Sequence, residues 1–161
     1  MDTWSAHNST SRAARHWGEV PMMVQALHYL KTSFPYTTYD TLNAASAYHF
    51  GGCLWHPFDH QRGYHPDPFY GGILDAFRQP KTSYYAFMSQ RPQKTRNELG
   101  SGPVVYIANE CTPFSPEDVT VFSNCDSVRL SVNGGAPETV DSLFKTYIKK
   151  PSEKIMERKP G

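Results

Sequence analysis

The chain has 161 residues, 39% of them apolar, 14% aromatic and 19% charged. That is too much sticky surface for a disordered chain, and enough length for one domain of about 150 residues or parts of two. Sixteen basic residues face fifteen acidic ones for a net charge of +1, so no global field draws the protein onto nucleic acid or an anionic membrane.

No apolar run approaches the roughly 18 residues of a membrane span, and no basic-then-apolar leader opens the sequence. The three cysteines, Cys53, Cys111 and Cys125, are odd in number and lack C-x-x-C spacing. They read as buried small hydrophobes rather than as a disulfide framework or a zinc ribbon.

Residues 1–16 are polar and read as a loop. From Gly18 the pattern changes: Pro21 suits a first helical turn, and Val20, Met23, Val24, Leu27 and Leu30 follow an i, i+3, i+4 stripe, which predicts a helix over about 19–31. Phe34-Pro35-Tyr36 ends it, and Asp40 can cap a second helix over Thr41–Tyr48. Phe50–Trp55 is a short apolar run bounded by turn signals, as in a buried strand.

The next stretch, His56–Gly72, holds three prolines, three glycines and three histidines among its aromatics, which excludes a regular element and marks a functional loop. Thr82 or Ser83 can cap a helix running through Tyr84, Tyr85, Phe87 and Met88. This alternation of helix, strand and loop is the rhythm of α/β architecture.

Residues 93–102 are polar with proline and glycine on their borders and read as a linker. Beyond it the period becomes two. Val104, Tyr106 and Ala108 alternate, Val119–Phe122 forms an apolar run, and Val128, Leu130 and Val132 alternate ahead of the turn Asn133-Gly134-Gly135. These are the short strands of a β-sandwich, fewer than the roughly seven it needs. No strand pattern continues beyond Gly134, and residues 145–161 carry six basic and two acidic residues as a disordered tail.

The loop after Trp55 is the candidate site. Aromatic platforms with polar groups between them suit a sugar ring, which offers apolar C–H faces to stack and hydroxyls to bond. Trp55, His56, Asp59, His60 and His65 are the residues placed to do this. His56, Asp59 and His60 also stand at i, i+3, i+4, and with His65 they could ligate a transition metal; the prolines around them argue for loop instead. No carboxylate pair stands out for glycoside hydrolysis, and no G-x-S-x-G elbow supports a serine nucleophile.

Gly51-Gly52-Cys53-Leu54-Trp55-His56-Pro57-Phe58-Asp59, then Tyr70-Gly71-Gly72-Ile73-Leu74-Asp75-Ala76-Phe77-Arg78-Gln79-Pro80-Lys81 and Tyr84-Tyr85, resemble the closing part of the catalytic barrel of glycoside hydrolase family 2, the β-galactosidase family. The family pattern is a last barrel strand G-G-x-x-W-x-x-x-D, a G-[IL]-x-D-x-x-R-x-P-K turn and a final helix with Tyr-Tyr. Val119–Gly134 is similar to the strands of the immunoglobulin-like domain that follows such barrels.

The resemblance implies an α/β part followed by an all-β part. Residues 1–92 would be the last βα units of a partial (β/α)8 TIM barrel, and 103–144 an incomplete immunoglobulin-like β-sandwich. It implies a retaining β-glycosidase acting on O-glycosidic bonds in carbohydrate, with no cofactor. Asp2–Asn8 looks like the loop after the family's nucleophile. The nucleophilic Glu is therefore expected just before Met1 and the acid/base Glu further upstream, with no catalytic residue in this chain.

Trp55 matches the tryptophan lining the sugar site, and His7 and Asn8 match loop residues near the nucleophile. Two other functions stay open: a metal-dependent hydrolase using His56, Asp59, His60 and His65, and a non-catalytic carbohydrate-binding module. By analogy with the family the setting is periplasmic or extracellular.

Overall fold

The computed structural model describes residues 11–33, 54–91, 93, 102–141 and 146–149. His7, Asn8, the expected helix over 41–48 and most of the expected strand over 50–55 lie outside them. The chain divides into two compact units, Met1–Phe87 and Met88–Gly161.

In the first unit a 3-10 turn, Arg15–Trp17, leads into helix α1, Glu19–Ser33, and a second helix, α2, runs over Thr82–Met88. The helix expected over 19–31 is present, with Glu19 in the first turn where a carboxylate complements the helix dipole. Its buried face is one residue off the expected stripe. Met22, Gln25, Ala26 and Tyr29 are buried, whereas Val20 and Val24 are 50% and 41% exposed. The reason is polar: Gln25 and Tyr29 are drawn inward by backbone carbonyls, and an apolar-only reading of periodicity passes over them.

Helix α2 also starts differently. Thr82 is its first helical residue, so neither Thr82 nor Ser83 caps it, and both side chains are buried. Ser83 Oγ instead donates to Gln25 Oε1 at 2.9 Å, which ties α2 to α1.

The turn ahead of α2 is built around Asp75. Its Oδ1 accepts from the amides of Phe77 and Gln79, both at 2.9 Å, and its Oδ2 meets Arg15 Nε at 2.8 Å. Arg15 Nη2 reaches on to the carbonyls of Gln79 and Pro80, and Arg78 takes φ +67° within this turn. Burial alone would raise the Asp75 carboxyl, but the hydrogen bonds from Arg15, Gln79 and Phe77 outweigh it and hold the group below its usual 3.8.

In the second unit β1 (Val105–Ile107), β2 (Val119–Ser123) and β5 (Thr146–Lys149) form one antiparallel sheet in the order β1-β2-β5. Strands β3 (Ser127–Leu130) and β4 (Glu138–Asp141) form a second antiparallel pair. Registers run Tyr106 to Phe122, Val121 to Tyr147 and Val128 to Val140. Val121 of β2 and Val128 of β3 pack together with Val119 beside them.

The expected alternation holds in β1, where Val105 and Ile107 face solvent while Tyr106 and Ala108 turn inward. The expectation that strands stop at Gly134 is corrected. The turn at Asn133 and Gly134, with φ of +51° and +75°, returns the chain into β4, and β5 takes four residues of the expected tail. Polar and basic side chains in β4 and β5 hid the period of two. The expectation of buried cysteines is corrected for two of the three, because Cys111 is exposed and Cys125 half-buried; Cys53 lies outside the described residues.

The expected linker is not a free linker at either end. Buried Asn124 collects it: Asn124 Oδ1 accepts from Val104 N at 2.7 Å, and Nδ2 donates to the carbonyls of Arg91 and Gly102 at 3.2 and 3.0 Å. Gln93 Nε2 donates to Asn124 O at 2.9 Å. The unit boundary accordingly falls at Phe87/Met88, before the sequence-based one.

Two outcomes follow from these bonds. Asn124→Ala leaves a backbone donor and two acceptors unpaired at a buried site and should cost about 1–3 kcal/mol, read by chemical denaturation, with faster proteolysis within 91–103. A carboxylate whose folded pKa is depressed stabilises above its unfolded value and loses that contribution as pH falls through the folded one. Acid titration of the wild type should therefore show a stability loss beginning near pH 3.8 and continuing below it, and Asp75→Asn should remove that component while lowering stability at neutral pH.

Candidate functional site

The loop from His56 to Gly72 has few regular elements, so its backbone groups need individual partners. Pro57 O accepts from the amides of Ile73 and Leu74 at 3.1 and 3.0 Å, and Asp59 N donates to Leu74 O at 2.9 Å. His60 and Phe69 exchange both backbone bonds, 3.1 and 2.8 Å, closing a small hairpin. Within it Arg62 donates through Nε and Nη2 to Asp67 O at 3.3 and 3.2 Å.

Beneath the loop sits a buried ammonium. Lys81 is 1% exposed, and its Nζ donates to Ala13 O at 2.7 Å, to Asp59 Oδ1 and Oδ2 at 2.9 and 3.1 Å and to Tyr70 O at 3.1 Å. Asp59 Oδ1 also accepts from Gly72 N at 2.9 Å. Burial pushes the Asp59 carboxyl up and the Lys81 ammonium down, and each opposes the other's shift.

Three successive carbonyls are then taken up by side chains. Gln25 Nε2 donates to Tyr70 O and Gly72 O, and Tyr29 OH donates to Gly71 O at 2.6 Å. Burial first, and the nearby Asp59 second, push the Tyr29 phenol up to about 12, so it remains a donor. Close approach explains the paired glycines. A Cβ on Gly71 would overlap the Phe69 ring, and one on Gly72 would overlap Asp59 N and the Phe58 carbonyl carbon.

On this support stands a row of rings. Trp55 meets His56 edge-on at 5.6 Å between centroids, His56 and His60 are 4.7 Å apart, His60 and Phe69 5.1 Å, and the Arg12 guanidinium carbon lies 4.8 Å over Phe69. On another side Arg78 lies 3.9 Å over Phe58. Trp55 is 72% exposed at the head of the row, and the Trp55–His56 peptide is cis.

The hydrogen bonds assign tautomers to two of the histidines. His60 Nδ1 faces the carbonyl of Phe58 at 3.2 Å, an acceptor only, so Nδ1 carries the proton and Nε2 is left to accept. His65 Nδ1 accepts from Asp67 N at 3.1 Å and stands 3.2 Å from Arg62 Nη2, so its proton is on Nε2. Its 3.9 Å separation from the Asp67 carboxylate is therefore a weaker contact than these two.

Of the sequence-predicted residues, Trp55, His56 and His60 come together in the ring row. His65 sits further along the loop with Arg62 and Asp67. Asp59 points inward to Lys81, a framework role rather than a ligand contact, because both its oxygens are already committed. Among the described residues no group of three or more His, Cys, Asp and Glu side chains is arranged to hold a metal ion. The set His56, Asp59, His60 and His65 lacks its carboxylate for the same reason.

Sequence reasoning passed over Lys81, Gln25, Tyr29 and Arg12. The signal available for Gln25 was a polar residue on the inner face of α1; for Lys81 it was a lysine fixed between Pro80 and a helix start.

Lys81→Met strands the Asp59 carboxylate in a buried site, and breaking a pair of this kind costs about 3–5 kcal/mol. Paired with Asp59→Leu the loss should be clearly less than the sum of the two single changes, as a double-mutant cycle in urea will measure. Comparison with known protein families, with curated proteins and with solved structures found no match to this chain.

Proposed function

We propose that this chain supplies the sugar-binding wall of a retaining β-glycosidase of the family 2 type, which hydrolyses O-glycosidic bonds in carbohydrate. The observation that carries the reading is Trp55, a large apolar ring 72% exposed at the head of a supported row of imidazoles. A sugar stacked on its face would find an acceptor in His60 Nε2, the combination of apolar platform and polar edge that a hexose needs.

In this reading the first unit is the end of a partial (β/α)8 barrel, and the second is an incomplete immunoglobulin-like sandwich. The exposed Val20 and Val24 on α1 support it, since a barrel helix has neighbours on both sides. The nucleophilic and acid/base glutamates belong to upstream barrel strands. Asp59 and Asp75, the buried carboxylates of the first unit among the described residues, are held by Lys81 and Arg15 and are committed to the framework rather than free as an acid and a nucleophile. The setting proposed with the family is periplasmic or extracellular.

The same exposed Trp55 also favours a second reading, a carbohydrate-binding module with no catalysis anywhere in the parent protein. The purified chain should quench its tryptophan fluorescence with galactosides and turn over none of a panel of aryl β-glycosides. Trp55→Ala should weaken binding about fivefold, matching ~1 kcal/mol for one aromatic stacking contact. Turnover by the chain alone would sink the upstream placement of the glutamates, and absence of any saccharide binding would sink the sugar site. Adding the upstream barrel segments separates the two readings, because only the glycosidase then gains hydrolysis.

A further inference from the structure

Two imidazoles of the ring row turn the same nitrogen to the backbone of one residue. His56 Nδ1 and His60 Nδ1 each stand 3.2 Å from Phe58 O, and Phe58 N lies 3.3 Å from His56 Nδ1. The carbonyl already accepts the proton of His60 Nδ1, whereas the Phe58 amide has no other acceptor among the described residues. A backbone N–H needs a partner, so His56 Nδ1 accepts from it and the His56 proton is on Nε2.

Phe58 thus holds the two histidines in opposite tautomers, one through its N–H and the other through its C=O. Their outer nitrogens differ accordingly: His56 Nε2 has a hydrogen to donate, and His60 Nε2 has a lone pair to accept. Neither Nε2 has a hydrogen-bond partner among the described residues, where the one buried side-chain nitrogen or oxygen left unpaired is Arg12 Nη1. The Nε2 atoms of these half-buried residues are therefore open to solvent.

Because each Nδ1 is turned towards Phe58, each Nε2 lies on the far side of its ring. Steps of 5.6 Å from Trp55 to His56 and 4.7 Å from His56 to His60 keep both beside one pyranose stacked on the indole. A donor next to an acceptor complements two neighbouring hydroxyls. The first hydroxyl accepts from His56 Nε2 and donates to the second, which donates to His60 Nε2. All the bonds of such a chain run in one direction, and each polarises the next.

We propose that His56 and His60 are the specificity-determining pair of the sugar site, reading two neighbouring free hydroxyls on the ring that stacks on Trp55. The proposal rests on the sugar-binding reading above and names its ligand class as a saccharide whose stacked ring keeps an unsubstituted vicinal diol.

The full 161-residue chain would be titrated with methyl β-galactoside and its monodeoxy analogues, followed by tryptophan fluorescence. Two analogues, altered at adjacent ring carbons, should each bind about fivefold more weakly than the parent, the loss of one neutral hydrogen bond. The other analogues should match the parent. His56→Phe and His60→Phe keep an aromatic ring in the row; each should remove the penalty at one of the two carbons and leave it at the other. Nitrogen NMR of the imidazoles in alkaline buffer should place the proton on Nε2 of His56 and on Nδ1 of His60.

Parent binding with a flat deoxy series, with one sensitive hydroxyl, or with two that are not adjacent overturns the proposal while leaving the sugar site standing. The same tautomer at both histidines overturns it too, as does a paired penalty that survives both phenylalanine variants. The deoxy series is read on the unchanged chain, so it decides the matter even where a variant fails to fold. If no saccharide of the series binds, both readings fall together.

Discussion

The first unit depends on the buried Lys81 ammonium. Lys81 has three N–H donors and places them on Ala13 O, the Asp59 carboxylate and Tyr70 O, which belong to the segment before α1 and to the two ends of the loop. A buried ion pair is a poor source of net stability, because removing two charges from water costs several kcal/mol per ion. What it supplies is position. An ammonium deprived of water accepts no arrangement in which those acceptors move away, so the segment before α1, the start of the loop and the end of the loop must meet at one point. Gln25 and Tyr29 extend the same logic to the carbonyls of residues 70–72, and Gly71 and Gly72 permit it by leaving room where any Cβ would collide.

The second unit is organised by a comparable device without charge. Asn124 makes its amide both donor and acceptor to the backbone of residues 91, 102 and 104, so the chain enters β1 in a fixed place. Beside it Val121 and Val128 pack together with Val119 against them. Apolar contacts of this kind have no direction, so the bonds to the buried amide are what select one arrangement of the strands.

Legibility follows the same division. Helix α1, the loop after Trp55 and the strands at 105–107, 119–123 and 127–130 could be read because periodicity and turn residues announce them. The inner face of α1 could not, since Gln25 is buried for the hydrogen bonds it makes and not for its hydrophobicity. Nor could β4 and β5, whose pairing partners, rather than their own patterns, fix them as strands. At the site, the loop's composition brought Trp55, His56 and His60 to notice, and they stand in one ring row. The inward bond of Asp59 was not legible because its partner lies 22 residues away, a separation no local spacing reveals.

A division of labour between charges connects the framework to the proposed chemistry. Asp59 and Asp75 are tied up by Lys81 and Arg15, so the carboxylates beneath the loop are structural and cannot serve as acids or nucleophiles without dismantling it. The ring row above them carries no such commitment at its head, where the Trp55 face is open. Under the proposed reading that face holds a sugar for chemistry performed by groups brought from elsewhere, as in a barrel glycosidase, where ligand walls and catalytic carboxylates come from different strands and only the assembled ring of loops completes the site.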